Sequence, residues 1–326
     1  MSSDIINPPF QDAKPGIELV DLNLHPPLMT INNTLLKAGL PILLSLIAHL
    51  SCHKKNDPQE STPEFSATPV SKTITPGQID EASGIADSKA NPGYLWVEQD
   101  SGNPNDIALL SQTGQLLKKI NIRSAINRDW EDMALGNGPN TGTSYLYIAE
   151  TGDNNKAYAQ YSIYRFPEPS AAIDTVNTWD ELKFTYPDGS HDVEAILVDN
   201  NSKDIYIITK TDAASRIYKF PYPQSTSSIS TVIFVGSLPF SGVTSAASSA
   251  SGDELLVKTY TTLSYWTRNT NEKIEDALKR APTSLNYVAE PQGEAVCFRN
   301  DNSGFYTLSE RPSIIPAVNL NFYQRK

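Results

Sequence analysis

The sequence predicts an all-β protein: a single β-propeller of five blades, with six as the alternative, each blade a meander of short antiparallel strands. Three observations predict it. First, the 326 residues are lightly charged and turn-rich, with 19% charged residues, 23 prolines and 17 glycines, a composition that suits short strands and turns better than a helical bundle. Second, five segments share one pattern, a polar or acidic residue leading into a small apolar run. They are Glu81-Ala-Ser-Gly-Ile85, Glu131-Asp-Met-Ala-Leu135, Glu194-Ala-Ile-Leu-Val198, Thr244-Ser-Ala-Ala-Ser248 and Glu294-Ala-Val-Cys-Phe298, at intervals of 50, 63, 50 and 50 residues. Third, each is followed 11–14 residues later by a β-prone run: Tyr94–Val97, Tyr145–Ile148, Ile205–Ile208, Leu255–Val257 and Phe305–Leu308. A unit of this size cannot bury both faces of its own sheet, and repeats of 40–50 residues solve the problem by stacking radially.

The elements follow in order along the chain. Residues 1–28 are polar and Pro-rich and are not expected to belong to the fold; Met29 begins a conventional leader. Residues 29–52 read as a signal peptide, with Lys37 before an apolar run of about a dozen residues, short of the ~20 that span a bilayer. Cys52 follows Ser51 in a lipobox-like setting and is the expected site of lipidation. Residues 53–70 are rich in Pro, Ser, Thr and Asp and read as a flexible tether. Residues 71–326 then form the propeller, with Pro69–Ile74 available to complete the last blade and close the ring. Third strands are plainest at Ser162–Pro167 and Arg216–Pro221, and turns at Pro187-Asp-Gly189 and Asn302-Ser-Gly304. The one helical signal is Asn271–Lys279. Cys297, in an apolar run, reads as a small buried hydrophobe.

In each blade the start of the first strand and the end of the second reach the same face. That rim collects Glu81, Glu131, Glu194, Thr244 and Glu294 from first strands. It also collects Asp100, Glu150 with Asp153 and Asn154, Lys210, Tyr260 and Glu310 from second strands. Carboxylates crowded round an axis repel one another and need compensation. Three arrangements answer that need: Ca2+ or another divalent cation held by Glu81, Glu131, Glu194 and Glu294; pairing with Lys210, Lys258 or Arg311; or hydrogen bonds from backbone amides, which would make the acids architectural. His191, the one histidine beyond the leader and tether, stands beside Asp192-Val-Glu194 as general acid or base, metal ligand or turn residue. With Glu131 and Glu194 it completes the candidate catalytic set; Asp100, Glu150, Asp153, Asn154, Lys210, Tyr260 and Glu310 form the candidate ligand-binding set. Thr151-Gly-Asp-Asn-Asn155 is either an oxygen-rich ligand loop or a turn. The tryptophans read as core, with Trp130 the one placed to reach the mouth.

The formal net charge is −11 without Lys/Arg runs, which argues against nucleic acid or anionic lipid as partner. No Gly-x-Ser-x-Gly elbow, P-loop, His-Glu-x-x-His or Cys-x-x-Cys occurs.

The ordered motifs Asp129-Trp-Glu-Asp-Met-Ala134, Thr151-Gly-Asp-Asn154, Ile163-Tyr-Arg-Phe-Pro-Glu-Pro169, Tyr186-Pro-Asp-Gly189, Asp192-Val-Glu-Ala195 and Pro291-Gln-Gly-Glu-Ala295 resemble a family of exported bacterial β-propeller proteins. More distantly, the Glu81-Ala-Ser-Gly-Ile85 and Trp130-Glu131 pattern is similar to SdiA-regulated and esterase-like phytase propellers. Propellers of the SMP-30/gluconolactonase type carry a metal at the channel mouth, held by acidic and amide side chains, and the resemblance implies such an ion here; Thr244 interrupts the acidic ring. The expectation is a monomeric lipoprotein of the bacterial outer membrane or periplasm, touching the membrane only through its anchor. It binds a small molecule, glycan or envelope protein at the mouth; the alternative is a metal-dependent hydrolase of a small ester, lactone or phosphoester.

Overall fold

The structure is a computed structural model that describes residues 64–326. The expectations for residues 1–28, for the leader at 29–52 with Cys52, and for the tether up to residue 63 lie outside the described residues. Strand β1 (Val70–Thr73) comes first. Blade one follows as β2 (Ala82–Asp87), β3 (Tyr94–Gln99), β4 (Asp106–Ser111) and β5 (Leu116–Ile122). Blade two begins with β6 (Trp130–Asn137), β7 (Ser144–Glu150) and β8 (Tyr161–Pro167); β9 (Thr175–Val176) pairs back onto β5, and β10 (Asp180–Thr185) completes the blade. Blade three is β11 (Val193–Val198), β12 (Ile205–Thr209), β13 (Arg216–Phe220) and β15 (Ile233–Ser237), with β14 (Ser230–Thr231) laid parallel on β10. Blade four is β16 (Val243–Ser248), β17 (Glu254–Thr259), β18 (Leu263–Thr267) and β19 (Thr283–Leu285), with α1 (Ile274–Ala277) in the last connection. Blade five is β20 (Gly293–Phe298), β21 (Gly304–Ser309) and β22 (Asn319–Gln324).

The expected closure is present. β1 pairs antiparallel with β22, from Val70 opposite Phe322 to Thr73 opposite Asn319, so the N-terminal strand completes the last blade and the ring has five blades. The domain includes residues before 71, because Phe65 bridges Arg325 and its ring packs against Phe305 and Tyr265. The end of the expected tether is therefore part of the domain. No helix of the described residues is long and apolar enough to cross a membrane.

Second-strand sequences are apolar almost without alternation because both faces of each blade are buried. On β7, Tyr145, Tyr147 and Ala149 enter the wedge shared with blade three, while Leu146 and Ile148 enter the wedge shared with blade one. β12 repeats the arrangement, with Ile205 and Ile207 on one side and Tyr206 and Ile208 on the other. Five such wedges make up the core. Trp130 belongs to one of them: it is fully buried and donates Nε1–H to Ile126 O, so it does not reach the mouth. Cys297 is free and buried, as its sequence setting suggests.

The innermost strands β2, β6, β11, β16 and β20 each pair on one edge only, and the other edge faces the axis. Buried amides there need acceptors. Asp132 supplies them. Its carboxylate accepts from the amides of Met133 (2.9 Å), Ile196 (2.9 Å) and Ala246 (3.4 Å) and from Ser245 Oγ (3.0 Å); Ser245 Oγ in turn accepts from Val296 N (3.2 Å). Four blades are thus tied through one buried carboxylate and one hydroxyl. Asp132→Ala is expected to cost about 3–5 kcal/mol in urea denaturation, and Ser245→Ala about 1 kcal/mol. A loss below about 1 kcal/mol for Asp132→Ala would show that the axial amides find other partners.

Candidate functional site

Every first-to-second strand pairing slips by one residue at the same height. The skipped residues are Ser83, Glu131, Glu194, Thr244 and Glu294. A bulge turns the extra residue out of the ladder and re-aims its side chain, and here it sets five side chains round one end of the channel. The register corrects one sequence reading. Ser83, not Glu81, is the blade-one counterpart of Glu131, Glu194 and Glu294. Ser83 Oγ donates to Glu131 O at 2.8 Å, and Thr244 Oγ1, its analogue in blade four, donates to Gly293 O at 3.1 Å. Glu81 is exposed and bonded to Asn103 Nδ2, apart from the other three glutamates.

Glu131, Asp192 and Glu194 come together, each offering an oxygen within 4.8 Å of the others, and all three are buried. Glu131 also belongs to a second, more open trio with Asp100 and Asp129 on the same criterion. Two oxygens of the inner trio, Asp192 Oδ2 and Glu194 Oε2, are buried without any hydrogen-bond partner. The other Asp192 oxygen accepts from Asp153 N at 2.9 Å. Gly152 lets the acids approach the loop, since a Cβ there would collide with the carboxylates of Glu131 and Asp129.

On the other side of the mouth, Lys210 pairs with Glu194 Oε1 and donates to Tyr260 OH at 2.9 Å; Tyr260 donates to Glu294 Oε1 at 2.7 Å; Gln292 joins Glu294 to Glu310. Of the cations proposed to balance the acids, Lys210 does so, whereas Lys258 bonds Gly293 O and faces Glu290, and Arg311 pairs with Asp80. Burial opposes the Lys210 charge, but Glu194 and Glu294 hold its pKa above the usual lysine range.

The remaining candidates are structural fasteners or lie to one side. Glu150 accepts from the amides of Arg128 (2.9 Å) and Asp129 (3.2 Å). Asp153 ties its own loop by accepting from Ala157 N, Tyr158 N and Tyr161 OH, while Asn154 is exposed at the loop tip. His191 is buried between Asp188 (3.2 Å) and Asp212 (3.1 Å), with Tyr218 OH at 2.8 Å and the Tyr186 ring edge-on at 5.0 Å. None of these partners belongs to the carboxylate trios.

Asp129 and Asp192 were not singled out as ligands in the sequence. The available signal is Asp-x-Glu, present as Asp129-Trp-Glu131 and Asp192-Val-Glu194, a spacing that puts two carboxylates on one side of an extended chain.

Electrostatics match this crowding. Burial first, then the charges of Glu194, Asp100 and Asp129, push Glu131 well above the carboxylate range. Burial, then Glu294, does the same to Glu194. Burial and Asp100 raise Asp129 to about 6, and burial, Glu294 and Asp100 raise Glu310 to about 8.

No protein-family model matches the sequence, and no curated protein is significantly similar to it. Among solved structures, the chain is similar to the WD40 repeats of RRP9 (9% identity, 80% of this chain and 100% of that one, TM-score 0.43). It is also similar to a luciferin-regenerating enzyme (11% identity, 79% and 95%, TM-score 0.45). Both likenesses are loose, and the five-bladed ring rests on the strand pairing itself.

The raised carboxyls make stability depend on pH in a definite direction. Between the ordinary glutamate value of 4.5 and about 8, the folded protein holds a proton on Glu310 that the unfolded chain releases. Folding stability therefore falls as pH rises through that window. In metal-free buffer the melting temperature is expected to be higher at pH 5 than at pH 8, with a smaller difference in Glu310→Gln. A melting temperature that rises from pH 5 to 8 would contradict the assignment.

Proposed function

We propose that the mouth binds a divalent cation, Ca2+ or a similar hard ion, and through its open side a ligand or partner. In this reading the protein is a binding propeller of the bacterial cell envelope, exported as a lipoprotein through Cys52. The observation that carries the site reading is the pair of orphaned, buried oxygens, Asp192 Oδ2 and Glu194 Oε2, on two carboxylates that gather with Glu131. Buried polar atoms without a partner are costly, and hard cations take oxygen ligands of this kind. The donor set is all oxygen: Glu131, Asp192 and Glu194 hold the ion, and Asp100 and Asp129 stand on its open side. A bound cation would neutralise the cluster and offer an electrophilic position to a ligand. The resemblance of the ordered motifs to exported propellers supports the envelope location, and the short apolar run before Cys52 supports the anchor.

A second reading is hydrolysis of a small ester, lactone or phosphoester. It is favoured by the position of Asp129, a further carboxylate grouped with Glu131 and Asp100 on the more open side of the mouth, where a proton acceptor for water is wanted. Glu131 and Glu194 then hold the ion and Asp129 accepts the proton of attacking water.

Calorimetric titration of the EDTA-treated full chain with Ca2+ is expected to give a stoichiometric site and a raised melting temperature. Glu194→Gln and Asp192→Asn are each expected to weaken binding at least about tenfold. An unchanged melting temperature with no heat of binding would make the cluster architectural. Turnover on a panel of lactones and phosphoesters, lost in Asp129→Asn while Ca2+ binding persists, would select the hydrolytic reading; a panel without turnover leaves the binding module.

A further inference from the structure

A cleft of about 230 Å3 opens beside the acidic mouth, with Arg128, Asp129 and Asp153 as its charged lining and Ser101, Asn154, Asn155 and Tyr158 among the rest. It touches the open carboxylate trio directly, because Asp129 belongs to both. Its one cation is Arg128, the residue next to Asp129. The guanidinium has two neighbours: Nε lies 3.1 Å from Glu150 Oε1 as an ion pair without hydrogen-bond alignment, and Cζ lies 3.8 Å from the centroid of the Tyr158 ring. Nη2 makes only a long 3.5 Å bond to Glu150 O, and Nη1 has no hydrogen-bond partner among the described residues.

Glu150 does not account for this arrangement by itself. Its two oxygens already accept the amides of Arg128 and Asp129, so it engages one edge of the guanidinium and leaves the outer nitrogens for something else. A planar guanidinium with a free edge is matched to a two-oxygen anion, and stacking on Tyr158 removes the rotamer freedom that would otherwise be lost on binding. Asn154, Asn155 and Ser101 are exposed and line the same cleft, offering amide and hydroxyl groups to a hydrophilic ligand.

We propose that this cleft binds a small hydrophilic oxyanion, a phosphate ester or a carboxylate of about monosaccharide size. One anionic oxygen is directed at the cation of the mouth and another at Arg128. The proposal rests on the cation-binding reading above and names its ligand class. The charges explain why the two must act together. Asp129, Asp153 and Asp100 repel an anion from the empty mouth, and a cation held by Glu131, Asp192 and Glu194 reverses the local field. Oxyanion and cation affinities are then coupled, and linkage requires each ligand to raise the affinity of the other by the same factor. Asn155, without a tertiary partner among the described residues, adds no charge to the cleft.

The test uses the purified full chain and two probes, glycerol 2-phosphate and galacturonate, titrated with and without saturating Ca2+. At least one probe is expected to bind the calcium-loaded protein, and the stronger of the two identifies the anion. Binding is expected to weaken about tenfold or more without Ca2+ and about ten- to a hundredfold in Arg128→Gln, while Ca2+ alone still binds that variant. Asn155→Asp, an exposed change that adds a negative charge to the cleft and leaves the Glu150 pairing intact, is expected to weaken the probe in the same direction. If Ca2+ binds but neither probe does, or if both variants bind the probe like the parent, the oxyanion site is overturned and the cation reading stands. If Ca2+ does not bind at all, the cation reading falls and this proposal falls with it.

Discussion

The carboxylate of Asp132 is the constraint on which the ring depends. Five inner strands meet at the axis with one edge of each unpaired in the sheets, so their free edges face one another and their buried amides need acceptors. A single carboxylate can accept four hydrogen bonds, and Asp132 takes them from its own strand, from β11 and from β16, two of them through Ser245 and Ala246. Burial pushes its pKa well up, and the amides and Ser245 act against that shift. Four donors bond to it, and hydrogen bonds of that number favour the ionised carboxylate. The apolar wedges hold blade to blade; Asp132 fixes the height at which they meet.

The mouth follows from that height. The bulge lies at Glu131, the residue before Asp132, and its counterparts in the other blades lie at the same level, so the side chains turned out of the ladder gather immediately above the axial network. Departures from five-fold symmetry then make the site. Blade one contributes Ser83 and Gly84, and its acidic group comes from the second strand instead, where Glu98 is fully buried against Gly84 with both oxygens unpartnered. Blade four contributes Thr244, whose hydroxyl is used up on the neighbouring backbone. Blades two and three alone carry Asp-x-Glu, so the carboxylates converge on one side of the ring rather than encircling it. Lys210 and Tyr260 connect the converged side to Glu294.

The fold was readable because its cause is repetitive. Both faces of each second strand are buried, so Tyr145–Ile148 and Ile205–Ile208 are written without polar alternation, and the spare strand Val70–Thr73 matches the strand missing from blade five. The site was only partly readable. Glu81-Ala resembles Glu194-Ala and Glu294-Ala in letters, but register is set by which residues fill the wedges, Leu95 and Val97 on one side and Trp96 on the other, and that places Ser83 at the bulge. Arg128 carried no mark in the sequence, since its role depends on Tyr158, thirty residues on, folding its ring beneath the guanidinium. Trp130 misled for the reverse reason: flanked by charged residues, it turns inward while Asp129 and Glu131 turn out.

The charge of the mouth explains why so unfavourable a cluster is compatible with a stable ring. Lys210 balances Glu194 and, through Tyr260, Glu294, yet Glu131, Asp192, Asp129 and Asp100 have no cation of their own among the described residues beyond Arg128, which is turned to Glu150. Two neutralising agents remain for such a set, protons or a metal ion. Protons account for Asp129 at about 6, for Glu310 at about 8 and for the raised Glu131 and Glu194, yet Asp192 Oδ2 and Glu194 Oε2 still lack a hydrogen-bond partner. In the proposed reading a divalent ion would coordinate both oxygens and displace the protons, so the geometry that costs stability without the ion would become affinity for it.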